Sequence, residues 1–155
     1  MKVVVQRVSQ ASVKVNNNIT GKVGKGLLLL VAVHQNDEIE QMKWVADKIA
    51  KLRIFEDEDG KMNKSVLDVA GELLVVSQFT LYGDVKKGTR PSFIESARPE
   101  KAEDLYDKMV RYWEKTYNIN VETGQFAAMM EVSLVNDGPV TLVIEKNSEV
   151  ISDEV

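Results

Sequence analysis

Asn136-Asp137-Gly138-Pro139-Val140-Thr141 is a polar stretch between two apolar ones, and the rest of the chain is organised around it. The flanking residues, 129–135 and 140–144, have the composition of strands. Proline has no N–H to give to a strand ladder, and glycine adopts backbone angles that other residues avoid. The sequence therefore predicts a break between two strands here, with the Gly138-Pro139 bond as the best candidate for a cis peptide. Bare carbonyls on such a pair suit a small polar ligand, but the same residues are also typical of a plain hairpin turn.

The composition is that of one globular domain. A length of 155 residues with 44% hydrophobic and 28% charged residues suffices for a sizeable core. The net charge of -4 disfavours a protein that coats nucleic acid through many phosphate contacts, but it permits local contact with an RNA end. Cysteine is absent, which excludes disulfides and thiolate chemistry. Since no signal-peptide core or membrane-length apolar run is present, we expect a cytoplasmic protein without membrane association.

Two continuous apolar runs predict the centre of a sheet. Residues 27–33 and 72–78 are each bounded by turn residues, which is typical of strands buried on both faces. An opening hairpin is predicted from the alternating segments at the start of the chain, residues 1–8, 12–15 and 19–23.

Two later segments predict helices. Asp37, followed three residues later by Glu40, predicts a capping box at the start of the first helix. Pro99 suits the first position of the second, because its missing N–H would be unpaired there anyway. Residues 121–135 and 140–144 predict further strands. This order of elements predicts an α/β domain with both helices packed on a mixed sheet.

The polar end of the second apolar run is a candidate site. Ser77-Gln78-Phe79-Thr80 brings hydroxyl, amide and aromatic groups to a strand end, where binding and catalytic groups often collect. A strand end that is merely capped by polar residues fits the same pattern. The loop that follows carries Lys86, Lys87 and Arg90, which suit either a phosphate backbone or a solvated connection.

Conventional catalytic groups are scarce. The only histidine, His34, has no second imidazole with which to share a metal, and no serine lies in a Gly-x-Ser-x-Gly elbow. We interpret His34 as structural and expect neither a metal nor a cofactor. An enzyme built from this chain would rely on backbone dipoles, hydroxyls or the substrate's own groups.

Two motifs together resemble a known family. Ser77-Gln78-Phe79-Thr80-Leu81 and Asn136-Asp137-Gly138-Pro139-Val140-Thr141 are similar, in order and separation, to the paired motifs of the D-aminoacyl-tRNA deacylases. Further similar segments are Gln6-Arg7-Val8, Val23-Gly24-Lys25-Gly26-Leu27 and Lys87-Gly88-Thr89-Arg90-Pro91-Ser92-Phe93, so the resemblance reaches about Ile144. The expected fold is one deacylase domain over residues 1–146, with mixed β-sheets in partly barrel-like β/β/α layers and two helices on one face. Residues 147–155 would form a polar tail.

The resemblance implies an enzyme that hydrolyses the ester between a D-amino acid and the 3′ end of tRNA. Glycyl-tRNA, including glycine mischarged on tRNA-Ala, would be a further substrate. The implied assembly is a homodimer in which a cis Gly138-Pro139 reaches into the partner's site. Its carbonyls would hold the substrate's amino group, and an L side chain would clash there, which is selection by exclusion.

The resemblance also implies roles for the remaining site residues. Ser77, Gln78, Phe79 and Thr80 would line the pocket, with backbone N–H groups near Phe79 and Thr80 facing the scissile carbonyl. Arg7 would fix the Gly-Pro loop, and it belongs with Asn136 to the substrate-binding group. Lys86, Lys87 and Arg90 would contact RNA.

The chemistry at Thr80 has two readings. Its hydroxyl could attack as a nucleophile, but the sequence places no base beside it, so we favour assistance of the attacking water by a terminal ribose hydroxyl of the tRNA. Two other functions remain open. A non-catalytic module would bind charged tRNA ends without releasing amino acid, and a small-molecule esterase would hydrolyse aminoacyl esters that lack tRNA.

Overall fold

The computed structural model describes residues 1–148, which form eight strands, two α-helices and a single turn of 3-10 helix at Phe79–Tyr82. The strands are β1 (Lys2–Val15), β2 (Asn18–Val23), β3 (Gly26–Ala32), β4 (Phe55–Glu56), β5 (Met62–Lys64), β6 (Glu72–Ser77), β7 (Val121–Thr123) and β8 (Glu131–Glu145). The helices are α1 (Ile39–Lys51) and α2 (Pro99–Tyr117). Of the predicted polar tail, residues 149–155 lie outside the described part of the chain.

Six strands form one mixed sheet, as the sequence predicts. The strands follow one another in the order β2-β1-β3-β6-β7. Both β2 and β3 pair with one edge of the long strand β1, and β8 pairs with its other edge. β3, β6 and β7 are parallel to one another, whereas β1 is antiparallel to β2, β3 and β8. The sheet curls toward a barrel because β2 also lies against β7, where Gly21 packs on the backbone of Thr123.

The central strands are buried on both faces, which explains their uninterrupted apolar sequences. Leu27 and Leu29 of β3 point toward the helices and belong to the larger core cluster, with Trp113 and Ile49. Leu28 points the other way, into a smaller cluster inside the curled sheet. Both α1 and α2 cover the same face of the sheet, so the predicted β/β/α layering is confirmed.

The N-cap of helix α1 lies one residue after the predicted N-cap. Glu38 is the N-cap, and a capping box forms with Gln41, whose side-chain oxygen accepts the Glu38 N–H at 2.8 Å. The predicted cap, Asp37, is fully buried, 2.7 Å from the amino group of Met1, and it also accepts the His34 N–H at 2.7 Å. The predicted capping box of Asp37 with Glu40 was wrong, because the Asp37 carboxylate forms a buried ion pair with Met1, which is distant in sequence.

Helix α2 begins at Pro99, as predicted. It is fastened to its neighbours by two buried hydrogen bonds. The indole N–H of Trp113 donates to the carbonyl of Ala46 in α1 at 3.0 Å. The hydroxyl of Tyr106 donates to the carbonyl of Val75 in β6 at 2.7 Å. Since Val75 lies two residues before the end of β6, α2 is held close to the candidate site.

The predicted break at residues 136–139 is a bulge inside one strand. β8 runs through it without reversing direction and remains antiparallel to β1 on both sides. Gln6 pairs with Thr141 and Val8 with Asn136, so four residues of β8 face the single residue Arg7. The alternative of a hairpin turn was wrong, because both halves of β8 pair with the same strand, β1. Only the ladder of hydrogen bonds between β1 and β8 is interrupted.

Residues 121–135 do not form one strand. β7 ends at Thr123, and a loop leads to β8 at Glu131. Within residues 1–148, neither helix has the length and apolar character needed to span a bilayer.

Candidate functional site

The bulge in β8 carries a cis Gly138-Pro139 bond, as predicted. Arg7, only 5% exposed, lies beneath it. The Arg7 guanidinium donates to the carbonyl of Asp137 at 3.2 Å and to that of Ile54 at 2.8 Å, and it lies 3.5 Å from the Asp137 carboxylate. A bidentate cation thus ties the bulge to the segment that follows α1.

Asn136 closes the bulge on itself. Its side-chain oxygen accepts the Val140 N–H at 3.0 Å, and its side-chain nitrogen donates to the Thr141 hydroxyl at 2.9 Å. Both ends of the amide are therefore committed within the loop, so the structure places Asn136 as a brace for Gly138-Pro139.

Gly138 fits this loop where other residues would not. Its φ of +119° lies in a region that favours glycine, and a Cβ would stand 2.7 Å from the nearest Arg7 guanidinium nitrogen. Close packing of cation and backbone leaves the Gly138-Pro139 carbonyls in a fixed position.

The second motif follows β6. The Gln78 N–H donates to the carbonyl of Val31 at 2.7 Å, and the next residues form the 3-10 turn Phe79–Tyr82. The Gln78 side chain hydrogen-bonds to the Thr80 hydroxyl, and Ser96 donates to the Phe79 carbonyl at 3.2 Å. As first residues of a helical turn, Phe79 and Thr80 have N–H groups without an acceptor inside that turn.

An apolar cavity of about 390 Å³ opens beside this motif. Ser77 and Phe79 line it together with Phe93, Tyr106 and Phe126. The rings of Phe79 and Phe93 meet edge to face at 5.2 Å. Such a pocket accepts a flat, weakly polar group, because aromatic walls stack on π-faces.

No role in the pocket was predicted from the sequence for three of these lining residues: Phe93, Tyr106 and Phe126. They come from a loop, α2 and the loop after β7, and no spacing links them in the sequence. Burial raises the pKa of the Tyr106 hydroxyl well above its ordinary value, so this group stays neutral.

Among residues 1–148, no acid or base is hydrogen-bonded to Thr80. Its hydroxyl is hydrogen-bonded to the Gln78 side chain. His34 contacts the end of the same turn, edge to face with Tyr82 at 5.3 Å, and its Nδ1 accepts the Asn36 N–H. Among residues 1–148, no three His, Asp or Glu side chains cluster as metal ligands would.

The predicted RNA-contact residues, Lys86, Lys87 and Arg90, are exposed on a loop. The two ends of that loop pair with each other, since Asp84 and Ser92 form a β-bridge. Phe93 follows directly, so the loop joins the aromatic wall of the cavity.

One chain does not bring its two motifs together. The Ser77 motif ends β6, whereas Gly138 belongs to β8, and β3 and β1 lie between these strands. Three strand spacings of about 4.8 Å place the motifs on the order of 14 Å apart across the sheet. The motifs also lie at different levels along the strands. Ser77 pairs with Val31, which pairs with Val3, so Ser77 is level with Val3, whereas Gly138 packs on Arg7.

Comparison with known proteins places the chain in a family. Residues 4–145 match a family model described as D-Tyr-tRNA(Tyr) deacylase. A protein of Chloroherpeton thalassium named D-aminoacyl-tRNA deacylase is 59% identical over 145 residues, covering 94% of this chain and 95% of that protein. One of the same name from Petrotoga mobilis is 54% identical over 145 residues, covering 94% and 97%. A solved structure named c-Myc DNA Unwinding Element Binding Protein has a TM-score of 0.91 at 41% identity, covering 96% of this chain and 100% of that one. With both motifs inside the matched range, the chain belongs to the D-aminoacyl-tRNA deacylase family.

Proposed function

We propose that this protein hydrolyses the ester bond of D-aminoacyl-tRNA in the cytoplasm, releasing the free D-amino acid and tRNA. The observation that carries the proposal is the Gly138-Pro139 loop, held by Arg7 and Asn136 within a chain that matches the deacylase family over residues 4–145. Fixed carbonyls accept hydrogen bonds from the substrate's ammonium group, each worth about 1.5–3 kcal/mol.

Chirality is selected by exclusion. A carbonyl that binds the amino group leaves room for a side chain on one side of the α-carbon only, so the L enantiomer clashes. Glycine has no side chain to exclude. Glycyl-tRNA, including tRNA-Ala mischarged with glycine, is therefore a further substrate.

The active site is shared between two subunits of a homodimer. Two features of the monomer support this: the separation of the motifs across the sheet, and the outer edge of β8. That strand is 15 residues long and borders the sheet, and its Leu134, Val135, Leu142 and Val143 are 36–66% exposed. An unpaired edge with exposed apolar side chains is suited to self-association. A twofold arrangement would bring Gly138-Pro139 of each subunit to the Ser77–Thr80 motif of the other.

Catalysis relies on backbone groups and on the substrate. The N–H groups of Phe79 and Thr80 would stabilise the developing oxyanion, as donors in a helical turn do. A water molecule attacks the ester carbon, and a terminal ribose hydroxyl of the tRNA takes a proton from this water while it passes its own proton to the departing ribose oxygen. The acyl C–O bond breaks, which releases the free amino acid and the tRNA hydroxyl. No base is hydrogen-bonded to Thr80 in the described residues, which favours this route over a threonine nucleophile.

The 3′ end of the tRNA would bind next to the Ser77–Thr80 motif. The cavity lined by Phe79, Phe93 and Phe126 suits the terminal base. Lys86, Lys87 and Arg90 on the adjoining loop would contact phosphates.

The test offers the purified protein matched D- and L-aminoacyl-tRNAs, glycyl-tRNA, and the ethyl ester of the same D-amino acid. We expect D-amino acid and glycine to be released from tRNA at least about tenfold faster than the L-amino acid. This factor corresponds to one hydrogen bond to the charged ammonium group of the substrate. Binding of D-aminoacyl-tRNA without release would favour the non-catalytic module. Comparable turnover of the ethyl ester would favour the esterase, and equal D and L rates would contradict exclusion.

A further inference from the structure

An exposed tryptophan on α1 lies between two lysines. The indole of Trp44 is 40% exposed, and the ammonium groups of Lys48 and Lys146 each lie 5.1 Å from its ring centroid. Lys48 lies one turn further along α1, whereas Lys146 follows β8, so two separate elements bring their charges to one ring. We refer to Trp44, Lys48 and Lys146 as the Trp44 surface.

Among residues 1–148, no carboxylate forms an ion pair with either Lys48 or Lys146. Three acidic residues are adjacent along these elements: Glu40, one turn before Trp44, Asp47, next to Lys48, and Glu145, next to Lys146. Asp47 accepts hydrogen bonds from the hydroxyls of Tyr112 and Tyr117. Because both ammonium groups are 5.1 Å from one centroid, they are at most about twice that distance apart. Like charges held so close create a local positive potential on an acidic protein.

The Trp44 surface lies at the same end of the sheet as the Ser77–Thr80 motif. The Lys146 N–H donates to the Met1 carbonyl at 2.9 Å. The neighbouring Lys2 donates to the carbonyl of Leu81 at 3.3 Å, and its ammonium lies 5.0 Å from the Tyr82 ring. The first two residues of the chain therefore connect the strand end that carries Lys146 with the turn after β6, and both lie at one end of the sheet.

We propose that the Trp44 surface binds the ribose–phosphate backbone of the substrate RNA beyond its 3′ end. An RNA strand carries one phosphate charge per nucleotide, so a strand that crosses the Trp44 surface presents successive phosphates to Lys48 and Lys146. The exposed part of the indole adds apolar surface beside the two charges for a ribose or an unpaired base. This inference rests on the proposed function, because it assigns the surface to the same tRNA.

The chain contains its own probe for this contact. It has two tryptophans, and the other one, Trp113, is fully buried between the helices and the sheet. Tryptophan emission is recorded while uncharged tRNA is added, with excitation at the red edge of tryptophan absorption to limit absorption by RNA. We expect saturable quenching in the unaltered protein and loss of that signal in Trp44→Phe.

Charge substitutions test the lysines. In the Lys48→Gln/Lys146→Gln double variant we expect the Kd for tRNA to rise about tenfold and the slope of log K against log salt to fall by about one to two units. Lys43→Gln is the matched control, since it removes a charge from the same helix but its ammonium lies over Tyr112, 5.9 Å from that ring. It should keep the original slope. A double variant with the original Kd and slope, or quenching that persists in Trp44→Phe, would overturn the proposal.

Kinetics separate this inference from the proposed function. The double variant should raise the KM for D-aminoacyl-tRNA about tenfold more than the KM for D-aminoacyl-adenosine, which lacks the backbone beyond the 3′ end. Equal changes for both substrates would reject the Trp44 surface while leaving the deacylase proposal intact. Quenching by tRNA in a protein that releases no amino acid would reject the deacylase and keep an RNA-contact surface. Sedimentation of each variant at the unaltered position shows that assembly is retained.

Discussion

At the scale of single residues, the site depends on how closely Gly138 and Arg7 fit. The guanidinium is almost fully buried, and it reaches two carbonyls from different parts of the chain, those of Asp137 and Ile54. A lysine could not make both bonds in the same geometry, because its ammonium is a point charge without a planar fork. The absence of a side chain at Gly138 is what allows the cation to lie against the loop.

We therefore expect Gly138→Ala to disturb the loop more than an ordinary glycine substitution does. A positive φ costs about 1–2 kcal/mol for a residue with a Cβ, and here the Arg7 guanidinium must also move. Losing a hydrogen bond to the substrate's ammonium, worth about 1.5–3 kcal/mol, would lower kcat/KM for D-aminoacyl-tRNA by about tenfold or more.

Gly60→Ala is the matched control for that substitution. Gly60 also has a positive φ, +75°, but a Cβ there would meet nothing within 4 Å. It should lower the free energy of unfolding by about 1–2 kcal/mol, the cost of a left-handed conformation, and leave deacylation unaltered. Urea unfolding and single-turnover deacylation of both variants are measured. Equal rates for Gly138→Ala and the unaltered protein would show that the loop does not hold the substrate.

At the scale of elements, α2 is coupled to β6 by the Tyr106 hydroxyl, which donates to the Val75 carbonyl in the core. Burial raises the pKa of this phenol, so the folded protein binds its proton more tightly than the unfolded chain does. This tighter proton binding contributes to the free energy of unfolding. The contribution is fully present below the pKa of tyrosine in the unfolded chain, about 10, and is lost as pH rises above that value.

Tyr106→Phe should consequently have a pH-dependent effect. Near neutral pH, loss of the hydrogen bond should lower the free energy of unfolding by about 0.5–3 kcal/mol, because the Val75 carbonyl is left without that donor. Above about pH 10 the difference from the unaltered protein should shrink, since only the latter must keep Tyr106 protonated. The other buried tyrosines are present in both proteins and cancel. Urea unfolding across that pH range measures this, and a constant difference would contradict the assignment.

The sequence predicted most elements because local signals and tertiary packing agree in them. Pro99 begins α2, and the apolar runs of β3 and β6 form the sheet centre. The prediction failed where a residue or strand distant in sequence determines the local structure. Asp37 was assigned as a cap, but it pairs with the amino group of Met1. The hairpin at residues 136–139 was wrong, because β1 is long enough to pair with both halves of β8.

The candidate site was predicted as motifs, not as a pocket. Arg7 and Gly138 are in contact, as the family resemblance implied. Phe126 and Tyr106 line the cavity, and nothing in their sequence surroundings marks them, because α2 and the loop after β7 meet only in the folded chain. Roles in catalysis for Ser77, Gln78, Phe79 and Thr80 remain predictions.

At the scale of the whole molecule, the separation of the two motifs supports the proposed homodimer. Within one subunit the Gly138-Pro139 loop and the Ser77–Thr80 motif are separated by the width of two intervening strands. A carbonyl that holds the amino group must lie within a few ångströms of the donors that face the ester, since both act on one amino acid. Shared sites at a twofold interface meet this requirement, with two sites in each dimer.

Subunit mixing tests this arrangement directly. Gly138→Ala damages the loop that a subunit donates, and Ser77→Phe fills the cavity that it offers at the end of β6. Each variant alone should be a dimer with little deacylation, because both of its sites carry the defect. In a heterodimer, one site combines both substitutions and the other combines two unaltered halves. Random mixing makes about half of the dimers heterodimers with one good site of two, so about a quarter of the original activity should return.

The two variants are given different affinity tags, unfolded together in urea and refolded as a mixture, and the doubly tagged species is assayed for release of D-amino acid from tRNA. Purified heterodimer should show about half of the original activity per dimer, because one of two sites is intact. The same procedure applied to each variant alone is the control, and sedimentation confirms that all samples are dimers. If each chain contained a complete site, every site in the mixture would carry one defect and no activity would return. That result, or a fully active monomer in sedimentation, would place both motifs of a working site in one chain and would require the β8 bulge to reach its own Ser77.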